Sequence, residues 1–424
     1  MKIAHYEQII TPEVGTTIAG YGCFDETYRK TDELVLSLLA LDDGQHKALV
    51  LGYDLIGMDE TLIDRIRAEA AKVLGTPEDY VILSCTHTHE GPHTRTHAVH
   101  PEVFNTPYVE QLVKWTCEAV EKLKDSFIEV DAYFYSMKVD ANVNRRFVKR
   151  DNRGTFFPHH RDMELLADEF CDQELGLLIF NPKGKDIPEA VLVNYAAHPL
   201  ATHAPGLGCH SISPDYPGYL RKFVKDESGA ACIFVSGAAG DMFPKDSETG
   251  QAAARRMGEK LCTAVMVAMI DARRQPKRFK LENPEIKALR TRFDVRRRMD
   301  NPRPDGGLPP YYRGKDVFSL PLQFLSIGDV ALVGVPGELL AELGQEIKWH
   351  SPFRKTFILY ASTAYFDYLC HGNALVSGGY EAWCQLFDSR GGLALVNAAV
   401  DGLYQLKGID FIPSLPKMET TEND

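Results

Sequence analysis

No stretch of the chain approaches the ~18 uninterrupted apolar residues that a membrane-spanning helix requires, although 44% of its 424 residues are apolar. That combination predicts a large core and no stable membrane insertion. The opening MKIAHYEQIITPEVG lacks an apolar h-region and a small-residue cleavage site, so it does not read as a secretory leader. A cytoplasmic location is the expectation. Positive charge is scarce as well: 47 Lys and Arg stand against 59 Asp and Glu, for a formal charge of −12. A chain this acidic is a poor partner for nucleic acid or anionic lipid. The run Arg145-Arg146-Phe147-Val148-Lys149-Arg150 is a local exception, and a solvated loop accounts for it. The nine cysteines contain no C-x-x-C pair, and an odd, scattered set argues against a disulfide framework or a zinc–cysteine knuckle. Cys232 in AACIFVSG and Cys262 in EKLCTAVMVAM lie within apolar runs, which predicts buried thiols.

What is present is a steady alternation of strand-like and helix-like segments. LVLSLLALDDGQHKALVLGYDL reads as a hairpin around Asp42-Asp43-Gly44. Helical periodicity follows over 59–74, closed by Gly75. A short buried strand is expected at 80–85 and an amphipathic helix at 107–124. Strands at 129–139, 175–181, 189–196 and 231–236 precede a long helix at about 248–274. LQFLSIGDVALVGVPGEL reads as a second hairpin that runs directly into a helix near Gly337. A strand at 355–361 and a helix at 391–405 complete the set. Residues 296–314, rich in Pro, Arg and Gly, read as a loop or lid. There is no internal repeat and no dividing linker. The expected fold is therefore α/β: mixed β-sheets flanked by α-helices in one large domain over residues 1–412, with a flexible tail at 413–424.

Histidine is the unusual residue. Fourteen occur in the chain, and four of them, His87, His89, His93 and His97, fall within SCTHTHEGPHTRTH, directly after an apolar strand. In extended backbone, residues i and i+2 project to the same side, so His87 and His89 are candidates for a shared metal site. The binuclear pattern H-x-H-x-D-H is not met, because Gly91 and Pro92 stand where it needs Asp and His. Three more segments carry candidates. His198 follows the strand of VLVNYAAHP. Glu338 in VPGEL stands at an expected helix start, where the local field favours an ionised carboxylate. AYFDYLCHGNALVSGGYEAW is a tyrosine-rich loop after a strand.

Together and in order, these segments resemble the neutral/alkaline ceramidase family. ITPEVGTTIAGYG over 10–22 is similar to that family's Gly-rich N-terminal signature. SCTHTHEGP resembles its A-T-H-T-H-S-G-P, Asn144-Arg145 its I-N-R-S, NYAAHP its histidine-bearing strand end, and VPGEL its V-P-G-E-F. Tyr368 and Tyr380, twelve positions apart, match its tyrosine pair. The resemblance implies one Zn²⁺ held by His87, His198, Glu338 and Tyr368, with His89, Arg145 and Tyr380 lining the reaction centre. It implies a zinc-dependent hydrolase of an amide or ester bond, in which zinc-bound hydroxide attacks a metal-polarised carbonyl. Arg145 or Tyr380 would steady the oxyanion and His89 would carry the proton. Asp215 and Asp241 are candidates for carboxylates that orient a histidine ligand. His93, His97, His100 and His210 are expected at loop surfaces or the pocket rim, and Cys85 is expected to be buried and inert.

One position departs from the family. Its G-D-x-S-P carries a serine near the scissile amide; here GAAGDMFP puts Phe243 there. A phenyl ring neither donates a hydrogen bond nor attacks a carbonyl. The family's exported members also continue into an immunoglobulin-like domain that this sequence does not show. A polar mouth is expected from His93, Arg95, His97 and His203, so the expected substrate is a small polar amide or ester rather than ceramide. Two alternatives stay open: a non-catalytic ligand-binding relative and a metal-dependent phosphoesterase. The sequence also leaves a homo-oligomer open.

Overall fold

A computed structural model describes residues 1–21, 26–96, 103–146, 170–185, 187–202, 211–247, 249–300 and 312–409. The expected tail at 413–424, His97, His100, His203 and His210, and most of the expected lid lie outside the described residues.

The unbroken apolar runs become strands buried on both faces. β1 (Lys2–Ile9) opens the chain and pairs antiparallel with β2 (Val35–Asp42). In β2, Leu36, Leu38 and Ala40 face one apolar layer, while Leu39 and Leu41 face another. β3 (Lys47–Tyr53) repeats the division with Leu49 and Leu51 against Ala48 and Val50. So does β4 (Val81–Cys85), with Val81 and Leu83 against Ile82. Side chains alternate along a strand, so a run without polar gaps is stable only between two apolar layers. On one side those are α1 (Glu60–Leu74) and α2 (Thr106–Leu123), which contribute Leu62, Ile66, Leu112 and Val120.

Four further strands extend the sheet: β5 (Ile128–Lys138), β6 (Glu174–Pro182), β7 (Ala190–Tyr195) and β8 (Ala231–Ser236). The order is β8-β7-β6-β5-β1-β2-β3-β4, and the two-residue strand Lys280–Leu281 beside β5 makes nine. Only the outermost pairs, β3–β4 and β7–β8, are parallel. α3 (Tyr216–Ser228) and α4 (Gln251–Arg274) pack on the β7–β8 end through Leu220, Val224, Leu261 and Val265.

A second sheet, β9 (Ile286–Arg296), β10 (Val317–Ile327), β11 (Val330–Gly334) and β12 (Lys355–Leu359), forms the other apolar layer. Its Leu325, Ile327, Leu332 and Phe357 share a core with Leu39, Leu41, Val50 and Ile82. Its outer face is covered by α5 (Ala341–His350) and α6 (Gly391–Lys407), through Leu343, Ile347, Leu395 and Leu403. The fold is thus α/β, with mixed sheets flanked by helices. No helix among the described residues is long and apolar enough to cross a membrane.

The parallel strands bring their C-terminal ends to one place. Ser236 Oγ, at the end of β8, donates to the Thr86 carbonyl just after β4 at 2.9 Å. The Tyr360 N–H, after β12, donates to the Ser236 carbonyl at 3.1 Å. Asn194 Nδ2 on β7 donates to the carbonyls of Val235 and Ile358, at 3.0 and 2.9 Å. Loops leaving this junction carry most of the candidate site residues.

Among the longer elements, β1, α3 and β9 were not anticipated. Another difference is a boundary. The helix expected from Gly337 starts at Ala341, because Glu338–Leu339 instead forms a short parallel pair with Tyr368–Leu369. The Glu338 N–H is drawn to the Asp367 carbonyl at 2.8 Å, which takes the residue out of helical geometry. The argument from a helix N-terminus therefore does not apply to Glu338.

Candidate metal centre

His87 lies two residues past the end of β4. Its backbone N–H donates to the Leu55 carbonyl at 2.9 Å, and its Nδ1 bonds the Ile56 carbonyl at 2.6 Å. It adopts a left-handed φ of 72°, uncommon for a residue with a side chain and tolerated where the surroundings fix it. His89 does not follow by strand alternation, since the strand has already ended. The turn nevertheless brings the two rings to 5.0 Å between centroids.

His198 follows β7 in the same manner. Its backbone N–H and its Nδ1 both bond the Met242 carbonyl, at 3.0 and 3.1 Å. With both Nδ1 atoms donating to carbonyls, the Nε2 lone pairs of His87 and His198 point inward. There they meet Glu338 Oε2, 3.7 Å from His87 Nε2 and 3.2 Å from His198 Nε2. In that tautomeric state two lone pairs and a carboxylate oxygen converge with no proton to share. Such an arrangement calls for a cation.

The electrostatics agree. Burial pushes the His87 pKa down to about 3 against the pull of Glu338. Burial, then the neighbouring imidazoles, hold His89 well below its ordinary value. Burial acts to raise the Glu338 pKa, but His87, His198 and the Tyr365 hydroxyl outweigh it and hold the carboxyl well below the usual range. Neutral imidazole and ionised carboxylate are the ligand forms of these side chains.

A group of His87, His89 and His198 offers ring nitrogens within 4.8 Å of one another. Two nitrogens bound at ~2.0–2.1 Å to one Zn²⁺ lie at most ~4.2 Å apart, so small side-chain movements close the difference. Among the described residues, His87 Nε2 and both ring nitrogens of His89 are buried and meet no hydrogen-bond partner. Each such atom costs about 1–3 kcal/mol unless something satisfies it. The donor set present therefore fits a metal ion.

Beside this centre stands an arginine held by a carboxylate. Arg145 Nε donates to Glu381 Oε1 at 2.6 Å, and its Nη2 donates to the Tyr368 hydroxyl at 2.9 Å. Arg146 Nη1 donates to the other oxygen of Glu381 at 2.7 Å. Tyr368 is the register partner of Glu338 in the short parallel pair, which sets phenol and carboxylate side by side. Burial, then the charge of Glu338, push the Tyr368 pKa up while Arg145 opposes them. The Arg145 guanidinium lies 5.9, 5.7 and 5.5 Å from the ring centres of Phe243, Tyr368 and Tyr380. Phe243 is thus part of an aromatic cage around Arg145.

Other sequence-stated candidates lie elsewhere. Asp215 caps α3: its side chain accepts from the Tyr216 N–H and from the N–H and hydroxyl of Thr202, both at 2.7 Å. Asp241 accepts from the Ala341 N–H and from Asn144 Nδ2, each at 2.8 Å. Neither carboxylate bonds an imidazole among the described contacts. The backbone carbonyls of Ile56 and Met242 bond the Nδ1 atoms of His87 and His198. His93, expected at a loop surface or the pocket rim, is buried. Cys85 is buried and burial pushes its thiol up, as expected of an inert residue.

Three residues at the centre were not assigned from sequence. Tyr365 donates its hydroxyl to Glu338 Oε1. Tyr360 places its hydroxyl 3.4 Å from His198 Nε2. Glu381 secures Arg145. The tyrosine-rich loop was the signal for Tyr365. Gly20 has a visible reason too: with φ of 113°, a Cβ there would stand 2.5 Å from His89 Nδ1.

No protein-family model matches the chain, and no curated protein matches it in sequence. Solved structures do. The neutral ceramidase from Pseudomonas aeruginosa superposes with a TM-score of 0.77 at 17% identity, over 97% of this chain and 75% of that one. A ceramidase complexed with C2 gives 0.75 at 16% identity, over 97% and 76%. The chain therefore has a neutral ceramidase-like fold.

Proposed function

We propose that this protein is a zinc-dependent hydrolase of an amide or ester bond, with His87, His198, Glu338 and Tyr368 as ligands of one Zn²⁺. The convergence of two imidazole lone pairs and a carboxylate oxygen on one buried point carries the reading. A Zn²⁺ ion held there supplies Lewis acidity toward a carbonyl and lowers the pKa of water from ~15.7 toward ~7.

The chain's own side chains account for the rest. Arg145, fixed at Nε by Glu381 and at Nη2 by the Tyr368 hydroxyl and the Gly240 carbonyl, turns its remaining guanidinium N–H and its charge toward the oxygen that gains charge, with the Tyr380 hydroxyl as second donor. His89, neutral and with ring nitrogens that meet no partner among the described residues, accepts the proton released on attack and delivers it to the leaving atom. Its Nδ1 faces Gly20, so Nε2 is the atom assigned to the transfer. Phe243 offers no hydroxyl to substrate and narrows the space beside Arg145. A small polar acyl amide or ester suits that cage better than ceramide, though fold alone names no substrate.

The test is a panel of acyl amides, acyl esters and a generic phosphate ester, with zinc supplied, for wild type and His87→Ala. Turnover of an acyl substrate by wild type alone is expected. Turnover restricted to the phosphate ester, or binding without turnover across the panel, would overturn the proposal.

A further inference from the structure

Tyr365 sits in a slot built by separate parts of the chain. Its ring stacks on His87, with centroids 5.8 Å apart and an interplanar angle of 14°. The Arg95 guanidinium lies 4.2 Å from the ring centre and is itself held by Asp367 at 3.1 Å. A Cβ at Gly57 would meet Tyr365 Cδ2 at 2.3 Å, so the ring fits only because that position is glycine. The residue is 4% exposed. A ring so confined has its hydroxyl direction decided by packing, and that hydroxyl is bonded to Glu338 Oε1.

The other oxygen of Glu338 is the one that faces the imidazoles. A terminal carboxylate torsion is otherwise broad and nearly two-fold. Left free, Glu338 could turn either oxygen, or both, toward the centre. We infer that Tyr365 is the positioning residue of the metal site: its hydroxyl occupies Glu338 Oε1 and so presents Oε2 alone to the ion. This rests on the ligand set proposed above and adds a residue outside it. Arg95 and Gly57 act one step further back, by holding the ring.

The consequence is on affinity. Removing the hydroxyl leaves Oε1 buried without that donor and lets the carboxylate rotate. Groups that orient a metal ligand typically change affinity by roughly 10–100-fold when removed. Tyr360 offers a contrast within the same site. Its hydroxyl lies 3.4 Å from His198 Nε2 and also bears on Glu338, a weaker hold on the carboxylate than the direct bond from Tyr365 to Oε1.

Zinc affinity of the full chain, measured by competition with a chromophoric chelator, tests this without any substrate. Tyr365→Phe keeps the ring and its packing, and its affinity is expected to fall by roughly 10–100-fold. Tyr360→Phe, whose hydroxyl bears on the same site less directly, is expected to lose clearly less affinity than Tyr365→Phe. Arg95→Gln, which loosens the ring and spares the hydroxyl, is expected to fall in the same direction by less. Wild-type affinity in both Tyr365→Phe and Arg95→Gln, or equal losses in the two tyrosine variants, overturns the inference alone. A wild-type chain that binds no zinc fails the ligand set itself, which is a different result.

Discussion

His198 Nε2 stands 3.2 Å from Glu338 Oε2 across 140 positions of sequence, and with His198 Nδ1 turned to the Met242 carbonyl neither atom has a proton for the other. Each comes from a different sheet: His198 leaves β7 of the nine-stranded sheet, and Glu338 follows β11 of the four-stranded one. The two sheets are joined at this junction, so the site and the packing of the fold depend on the same strand ends.

Glu381 is expected to matter for stability as well as for the site. It is buried between two guanidiniums, at 2.6 Å from Arg145 and 2.7 Å from Arg146. Breaking a buried ion pair by removing one partner commonly costs about 3–5 kcal/mol. Glu381→Ala should lower the urea midpoint by a corresponding amount. An unchanged midpoint would mean that the two arginines find other partners.

His89 is assigned the proton and not the ion. His89→Ala should therefore retain zinc while turnover falls by roughly 10²–10⁴-fold, the usual worth of a positioned acid–base group. Loss of zinc in this variant would make His89 a third imidazole ligand, as its nearness to His87 and His198 allows.

Phe243 is expected to set substrate preference through its place in the cage around Arg145. Phe243→Ser restores a hydroxyl at that point and opens the space. The variant should hydrolyse ceramide above the wild-type level while keeping its zinc. Equal ceramide activity in the two proteins would show that the aromatic ring is not what excludes that substrate.

Glu90 gives a pH-dependent expectation. Burial, then the charge of Asp215, push its pKa from 4.5 up to about 8. The sign follows from proton binding: between those values the folded chain holds a proton that the unfolded chain has released. Folding is therefore penalised progressively as pH rises from about 4.5 to about 8. Glu90→Gln removes the penalty. Its stability should equal wild type near pH 4 and exceed it at pH 8, by an amount on the order of 2–4 kcal/mol. A difference constant across that range would contradict the assignment.

Much of the fold was legible where apolar patterning dominates. The run 35–41 could be read as a strand because both of its faces meet core. β9 was illegible for the opposite reason. In KALRTRFDVR, Arg290 and Arg292 face Asp64 and Glu60 of α1, so charge replaced the apolar signal. α3 was hidden behind Asp215-Tyr216-Pro217-Gly218, which reads as a turn although Asp caps and Pro begins the helix. At the site, histidines after strands could be picked out because strand ends carry function. The support around them could not. Tyr365 depends on a left-handed turn at Asp367 and on the glycine at 57, features that no local pattern encodes.

The central claim is that a single metal ion belongs at the meeting point of His87, His198 and Glu338. Metal analysis of the purified wild type beside His87→Ala addresses it most directly. The account predicts about one zinc per chain in the wild type and almost none in the variant, with both proteins folded. Equal metal content in the two, or none in a folded wild type supplied with zinc, would contradict it.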